Sequence, residues 1–351
     1  MHIVNIMFSR CGGGIEQAFV DYCVGLSERG HTVTAVVYPG SVAEGLLKDT
    51  GADVAIEQIR NFSEWDIFAA ARLKKLLLKL APDCAIAHAN RAYSLSKKAI
   101  KGRIPLIAVA QNYSTRRFSD ADAVFTTTHD LMSHLAQQGI SESKIFHIPN
   151  MIRCRELPHR EMRHDPPVIG TMGRFVAKKG FDTYIAALKI LNDRGHEFRA
   201  ILGGSGELEA ALKSQAHNAG LMQVLSFPGW VEDKKSFYTK IDIFCLPSLH
   251  EPFGIVLLEA FVNGATVVTT DSEGPRDIIT PNYDALMIEK SNAEAMANAI
   301  EKLLTDTALS DKLAANAFAK AQTNYTIEVV CEKVEKALEA MLRPEEQALA
   351  A

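Results

Sequence analysis

Twice along this chain a short apolar run ends in a glycine loop, passes into an amphipathic helix and returns as a second apolar run, and that alternation leaves few folds open. In the first instance HIVNIMFS is broken by CGGG. Phe19, Tyr22, Cys23 and Leu26 then recur at helical spacing, Gly30 stops the helix, and HTVTAVVY follows as a β-branched strand. The pattern continues with DVAIEQI, a helix from about Ser63 to Leu80, DCAIAHA, a helix near 90 to 101, IPLIAVA, AVFTTT, a helix after His129, and KIFHIP. IRCRELPHREMRHDPP, residues 152 to 167, interrupts it with charge and proline and reads as a linker. The alternation then restarts with PVIGTMG, a helix around 181 to 194, FRAILGG, a helix around 207 to 219, QVLSF, DIFCLPS, the apolar helix after HEPFG, and ATVVTT. Each half predicts a parallel sheet covered by helices, so the expected fold is α/β with two Rossmann-like domains, 1–152 and 168–326, joined by a linker at 153–167. A final helix, within about 327–351, is long enough to cross back over the first domain. Sheets of this type bind ligands at the carboxyl ends of their strands, here expected to face each other across a cleft.

The length of 351 residues suits two such domains. Six scattered cysteines without a CxxC pair or a Cys/His cluster argue against a disulfide framework or a structural zinc, and fit a reducing cytosol. No apolar stretch approaches the ~18 residues of a membrane span, and no basic-then-apolar signal opens the chain, so a cytoplasmic protein is expected. The net charge of −4 is unevenly spread: residues 1–160 hold 19 Lys and Arg against 15 Asp and Glu. Residues 72–117 hold eleven basic residues (Arg72, Lys74, Lys75, Lys79, Arg91, Lys97, Lys98, Lys101, Arg103, Arg116 and Arg117) and one acid, Asp83. One reading is a helix from about Ser63 whose apolar stripe, Trp65, Phe68, Leu73, Leu76, Leu77 and Leu80, packs on the sheet and whose Lys face is in water. The other is contact with an anionic surface such as the inner membrane leaflet. No nucleic-acid partner is expected.

Four loops at predicted strand ends carry the chemistry: CGGGIE (11–16), GRFVAKKG (173–180), GGSGE (203–207) and HEPFG (250–254). CGGGIE is not a complete dinucleotide fingerprint, because Gln17 occupies the third glycine position, and the chain has no GK[ST]. It reads as a tight turn, or as a turn whose following helix offers free N–H groups to an anion. In GRFVAKKG, Arg174 and Lys179 are either solvated cations or a diphosphate clamp, one by its planar fork and the other as a point charge. HEPFG leads into a helix opening at Phe253 or Gly254, whose N–H groups suit a diphosphate. Glu259 lies inside that helix on an otherwise apolar face, where a carboxylate needs a partner: the vicinal hydroxyls of a ribose, or a buried Arg or Lys. Glu251, just outside the helix, is free for the other end of such a ligand. Asp120 and Asp122 form a DxD but precede a strand, and read as a strand cap. His88 follows a strand and points toward the predicted cleft mouth, as a satisfied polar group or a minor contact.

As a set, these motifs resemble the retaining glycosyltransferases of family 4, which have the GT-B fold. GGIE matches the first glycine loop, GRFVAKKG the GR-loop-KG segment, DIFCLPSLHEPFGIVLLEA the Glu-x7-Glu signature, and ADAVFTTT, KIFHIPN, FPGWV and EGPRDII further segments, so the likeness covers nearly the whole chain. The resemblance implies transfer of a sugar from a nucleoside diphosphate donor to an acceptor hydroxyl with retention, in glycan or glycolipid assembly. Arg174 and Lys179 would hold the diphosphate, Glu259 the ribose, Glu251 the transferred sugar, and the backbone of Phe253, Gly254 and Ile255 the sugar and phosphate. Gly13, Gly14 and Val231 would be donor-side, and Glu16, Gln111 and His88 acceptor- or sugar-side. No metal and no cofactor are implied, since the nucleotide sugar is a substrate. Where the family commonly has a histidine after the strand matched by IPLIAVA, this chain has Gln111, which cannot carry charge or transfer a proton. Two other activities share these features: a nucleotide-sugar epimerase, which needs no acceptor, and a nucleotide-sugar binding subunit without its own activity.

Overall fold

Every strand pairs in parallel, and the strands fall into two sheets. The computed structural model describes residues 1–100, 102–154 and 164–342. The chain divides into two compact units, one made of Met1–Arg153 together with residues from Tyr325 on, the other of Cys154–Asn324. Lys101, most of the linker segment and residues 343–351 lie outside the described residues.

In the first unit the strands β1 (His2–Met7), β2 (Thr32–Val37), β3 (Ala55–Gln58), β4 (Cys84–His88), β5 (Leu106–Ala110), β6 (Ala123–Thr126) and β7 (Ile145–His147) form a sheet of order β3-β2-β1-β4-β5-β6-β7. β1 pairs with β2 and β4 on its two sides, so the chain reverses direction of travel across the sheet there, the switch point at which α/β sheets open a crevice. Helices α1 (Gly14–Glu28) and α2 (Val42–Asp49) cover one face; α3 (Ile67–Leu80), α4 (Ala89–Ile100) and α5 (His129–Gln137) cover the other.

α3 corrects the sequence reading. It starts at Ile67 rather than near Ser63, because the Asp66 side chain accepts from the Ala69 amide at 2.9 Å and caps the helix there. Its core contacts are Ala69, Ala70, Leu73 and Leu77, while Trp65 and Phe68, expected in the apolar stripe, are exposed.

The second unit repeats the plan with β8 (Val168–Met172), β9 (Arg199–Gly203), β10 (Leu225–Ser226), β11 (Ile243–Leu246), β12 (Thr266–Thr270) and β13 (Leu286–Ile288), in the order β10-β9-β8-β11-β12-β13. Its helices are α6 (Phe181–Asp193), α7 (Glu209–Asn218), α8 (Lys234–Thr239), α9 (Ile255–Val262), α10 (Glu273–Ile278), α11 (Ala293–Thr305) and α12 (Thr307–Asn324). The last helix, α13 (Ile327–Leu342), belongs to the first unit. There Ile327, Val330, Cys331, Val334 and Leu338 join the core on the α1 face. Gly25 is what lets α1 and α13 approach: a Cβ built on it would run into Cys331 Sγ and the Ile327 side chain. The Glu335 carboxylate accepts from Arg29 and from His31 Nε2, tying α13 to the turn after α1. The chain leaves and re-enters this unit side by side, with the Ile152 amide donating to the Tyr325 carbonyl at 2.8 Å.

Candidate active site

Four loops of the second unit meet at the carboxyl ends of β8, β9, β11 and β12, which are neighbours in the sheet. Glycine backbone makes that meeting close. The Gly173 amide donates to the Gly203 carbonyl at 3.0 Å and the Phe175 amide to the Ser205 carbonyl at 2.8 Å, so GRFVAKKG lies against GGSGE. Gly204 has φ +136°, and a Cβ on it would fall on the Gly173 carbonyl oxygen. A Cβ on Gly180 would likewise meet the Pro247 carbonyl, and one on Gly274 the Phe253 carbonyl. The Lys178 carbonyl accepts from the amides of Leu249 (2.8 Å) and His250 (3.2 Å), joining GRFVAKKG to the segment before α9.

On this backbone floor Lys179 Nζ forms an ion pair with Glu251 Oε2, and the Ser248 hydroxyl donates to the same oxygen at 3.3 Å. Glu251 is buried and Lys179 half-buried. Glu273 supports the loop from below: its Oε2 accepts the Glu251 amide at 3.1 Å and its Oε1 meets His250 Nδ1 at 3.2 Å and Lys290 Nζ at 3.3 Å. Burial by itself would raise the Glu273 pKa. The backbone amides of Glu273 and Glu251, with His250 and Lys290, outweigh it and hold the carboxyl below its ordinary range. Arg174 is exposed and has no side-chain partner among the described residues.

α9 opens at Ile255, with Gly254 as its N-cap at φ +96°, and no side chain caps its first turn. That is one or two residues later than the sequence suggested, because the left-handed Gly254 breaks the helical run. Glu259, about one turn in, is buried and pairs with Lys234 Nζ from the start of α8; the Tyr238 hydroxyl lies 3.4 Å from its other oxygen. Burial, with the Glu259 carboxylate beside it, keeps the Tyr238 phenol well above its usual pKa and therefore a donor. Val231 packs its Cγ2 over Gly203 at the end of β9.

The structure thus brings Arg174, Lys179, Glu251, Phe253, Gly254, Ile255, Glu259 and Val231 to one end of one sheet. Sequence reasoning did not assign Lys234, Ser248 or Glu273. Glu273 lay within a quoted motif, whereas Lys234 sits 25 residues from Glu259 with no local signal.

The remaining candidates belong to the first unit. Gly13 is extended at φ 171° and precedes α1, with the buried Glu16 carboxylate 3.3 Å from where its Cβ would be; Gly14 is the first helical residue. Gln111 follows β5, donates from Nε2 to Asn150 Oδ1 at 3.1 Å, and keeps its buried Oε1 without a partner. It lines a small depression with Asn90, Asn112 and Ser114. For His88, read as a satisfied polar group or a minor contact, the structure shows a buried polar group. It is fully buried at the end of β4, packed edge-on between the Phe19 and Tyr22 rings, with Nε2 3.3 Å from Asn5 Oδ1. Burial pushes its pKa down to about 3, so the imidazole is neutral and part of the core. Asp122 accepts the Leu106 amide at 2.8 Å and Asp120 pairs with Lys97, as a cap at the start of a strand and a surface pair.

A family description, "Glycosyltransferase Family 4", matches residues 12–156, and a second, "Glycosyl transferases group 1", matches residues 156–320. The lipopolysaccharide core biosynthesis glycosyltransferase LpsE of Rhizobium meliloti (strain 1021) is 30% identical over 322 residues, 90% of this chain and 92% of LpsE. The chain belongs to glycosyltransferase family 4. A second relative of this glycosyltransferase, LpsD of the same organism, is also described as a lipopolysaccharide core biosynthesis glycosyltransferase; it is 27% identical over 93% of this chain and 94% of its own. Among solved structures, Anabaena HepE in complex with UDP and glucose superposes with a TM-score of 0.82 at 19% identity, covering 97% of this chain and all of that one. The fold of the family 4 enzyme is therefore GT-B, with two Rossmann-like domains.

Proposed function

We propose that this glycosyltransferase moves a sugar from a nucleoside diphosphate donor to an acceptor hydroxyl with retention of the anomeric configuration, in the assembly of a cell-surface glycan. The observation that carries the reading is the Lys179–Glu251 pair, seated on glycine backbone, its lysine on the same loop as Arg174, which has no side-chain partner among the described residues, and its glutamate before the uncapped first turn of α9. Cations and a helix terminus at one point suit a departing diphosphate, whose developing charge they stabilise as the C1–O bond to phosphate breaks. In this reading Arg174 and Lys179 take the diphosphate, Glu259 the ribose hydroxyls, Glu251 the hydroxyls of the transferred sugar, and the backbone of Phe253, Gly254 and Ile255 the sugar and phosphate, with Val231 beside the nucleoside. No side chain in the set calls for a metal. From the first unit, Gly13 and Gly14 leave the start of α1 open to an anion, and Glu16 and Gln111 are the sugar- or acceptor-side residues. The UDP and glucose of the HepE complex, and the lipopolysaccharide core assembly in the names of LpsE and LpsD, support a sugar nucleotide and a glycan or lipid-linked acceptor. Such an acceptor fits a cytoplasmic enzyme that rests peripherally on an anionic membrane through the basic residues between 72 and 117. No helix among the described residues is long and apolar enough to cross a membrane.

A thermal-shift screen across UDP, GDP and ADP tests the donor site, since a ligand at a hundred times its Kd stabilises by about 2.7 kcal/mol. Lys179→Ala should abolish most of the shift. An equal shift in that variant overturns the assignment. Conversion of a nucleotide sugar without acceptor would favour the epimerase reading, and nucleotide binding without turnover on any donor and acceptor would favour the binding subunit.

A further inference from the structure

The exposed face of α3 is not an ordinary solvated face. The helix turns Ala69, Ala70, Leu73 and Leu77 inward and leaves Ile67, Phe68, Ala71, Arg72, Lys75, Leu78 and Lys79 exposed on the other side. Exposure reaches 68% at Ile67, 73% at Phe68 and 56% at Leu78, and in the turn just before the helix 88% at Phe62 and 68% at Trp65. Single exposed apolar residues are normal on any protein, but these five fall within 17 positions and share one surface with three cations. α3 itself contains Arg72, Lys74, Lys75 and Lys79 and no acid. The three acids that flank the helix are occupied: Glu64 pairs with Arg117, Asp66 accepts the amides of Ala69 (2.9 Å) and Phe62 (3.1 Å), and Asp83 accepts the His2 amide at 2.7 Å. Lys98 Nζ lies over the Trp65 ring, 4.6 Å from its centroid, and the Arg117 guanidinium lies 5.9 Å from it.

We propose that this face, with Phe62, Trp65, Ile67, Phe68 and Leu78 as the inserting side chains and Arg72, Lys75 and Lys79 as the headgroup contacts, docks the first unit on an anionic lipid bilayer. The proposal rests on the reading above that the enzyme works at a membrane, and replaces a diffuse basic run with one helix face. Within that run, Lys97 and Arg117 are neutralised by Asp120 and Glu64, whereas the Arg72 guanidinium gives one N–H to the Arg60 carbonyl at 2.6 Å and keeps its charge and its other donors. Mixed aromatic, aliphatic and basic side chains on one helix face are what an interfacial helix needs, the rings at headgroup depth and the long cations reaching phosphate. A protein partner would select against lysine in the centre of its interface, where Lys75 lies between Phe68 and Leu78. A soluble polyanion would find no use for five apolar side chains.

The chain has two tryptophans, so Trp230→Phe leaves Trp65 as the only indole reporter. The full chain carrying that change is mixed with vesicles of phosphatidylcholine alone or with about a third phosphatidylglycerol, and flotation and Trp65 emission are read together. The expected result is at least tenfold stronger flotation with the anionic vesicles, a blue shift of Trp65 emission, and quenching by brominated acyl chains. Phe62→Ser with Phe68→Ser should abolish the shift and most of the flotation without lowering Tm, because both side chains are exposed. Lys75→Gln with Lys79→Gln should remove the preference for anionic vesicles. Flotation that is salt-sensitive, leaves Trp65 unshifted and survives the serine variants would overturn insertion through α3 while keeping the membrane reading. Absence of flotation with either vesicle, together with turnover on a soluble acceptor, would overturn both. Self-association that buries Trp65 without vesicles would assign the face to a second copy of the chain and overturn the bilayer as its occupant.

Discussion

Replacing Glu259 separates two roles that a buried carboxylate in this position could have. The side chain is 7% exposed and its partner Lys234 is 46% exposed, so solvent screens the pair and it contributes about 0–1 kcal/mol to folding. In a unit of this size that corresponds to roughly 2–4 °C in Tm at most. As a ribose ligand, the same carboxylate would supply charge-assisted hydrogen bonds whose loss costs about 1.5–3 kcal/mol, or roughly ten- to hundredfold in Kd. Glu259→Ala removes both roles, whereas Lys234→Met keeps the apolar stem, deletes the charge and leaves the carboxylate free for a ligand. Thermal unfolding without ligand, and calorimetric titration with whichever of UDP, GDP or ADP binds best, should therefore diverge. Glu259→Ala loses a small amount of Tm, Lys234→Met loses more because it leaves a buried carboxylate without its cation, and only Glu259→Ala loses nucleotide affinity. If Glu259→Ala binds nucleotide as the parent does, or if Lys234→Met loses as much affinity, Glu259 is a counter-ion of Lys234 and the ribose assignment is wrong.

Glu251→Gln should leave nucleotide affinity near the parent value, since the amide oxygen still accepts from Lys179, and lower the rate of transfer; full turnover would refute its place at the sugar. Gln111→His should change rate or donor choice at unchanged Tm, and a variant indistinguishable across a donor panel would make the residue a bystander. Gly204→Ala forces a side chain into the Gly173 carbonyl at φ +136°, at about 1–3 kcal/mol for the backbone strain alone. A matching Tm loss with weaker nucleotide binding is expected, and intact binding would show that the glycine floor does not shape the site. His88 has a folded pKa of about 3 against 6.5 in the unfolded chain, so the unfolded state alone binds its proton between those values. Its contribution to stability is intact above pH 6.5 and is lost as pH falls toward 3, and His88→Gln should flatten that part of a denaturation profile; an unchanged slope would contradict a neutral buried imidazole.

What the sequence displayed was periodicity and glycine placement, and those determine the sheets. HIVNIM and VIGTM are mostly apolar, without the alternation of a half-exposed strand, because helices cover both faces of each sheet, so strand, loop and helix boundaries carry the fold. The same signals located GRFVAKKG and HEPFG, since a loop at a strand end is set by local pattern. The misses share a cause. Whether His88 faces solvent depends on Phe19 and Tyr22, 66 and more residues away. The partner of Glu259 comes from a separate helix. Trp65 and Phe68 look like core residues by hydropathy, but Trp65 precedes the helix that Asp66 caps, and Phe68 lies on the side opposite Ala69, Ala70, Leu73 and Leu77. Side-chain orientation and long-range pairing are tertiary facts that a one-dimensional pattern does not contain.

The two glutamates that frame α9 have one property in common: each is buried against a lysine, Glu251 with Lys179 and Glu259 with Lys234. The unliganded site therefore holds no uncompensated buried carboxylate, which would otherwise cost several kcal/mol. Of the two cations proposed for the diphosphate, Lys179 is already paired and already partly desolvated, and only Arg174 awaits a partner among the described residues. A diphosphate that draws Lys179 toward itself must release Glu251, and a released carboxylate accepts hydrogen bonds from hydroxyls. A nucleoside diphosphate without a sugar offers Glu251 no hydroxyl in exchange, whereas a nucleotide sugar does. On that reading a bare nucleoside diphosphate binds Lys179 at the expense of the ion pair, whereas a nucleotide sugar returns a partner to Glu251, so the pair would link the two ends of the donor through a single carboxylate.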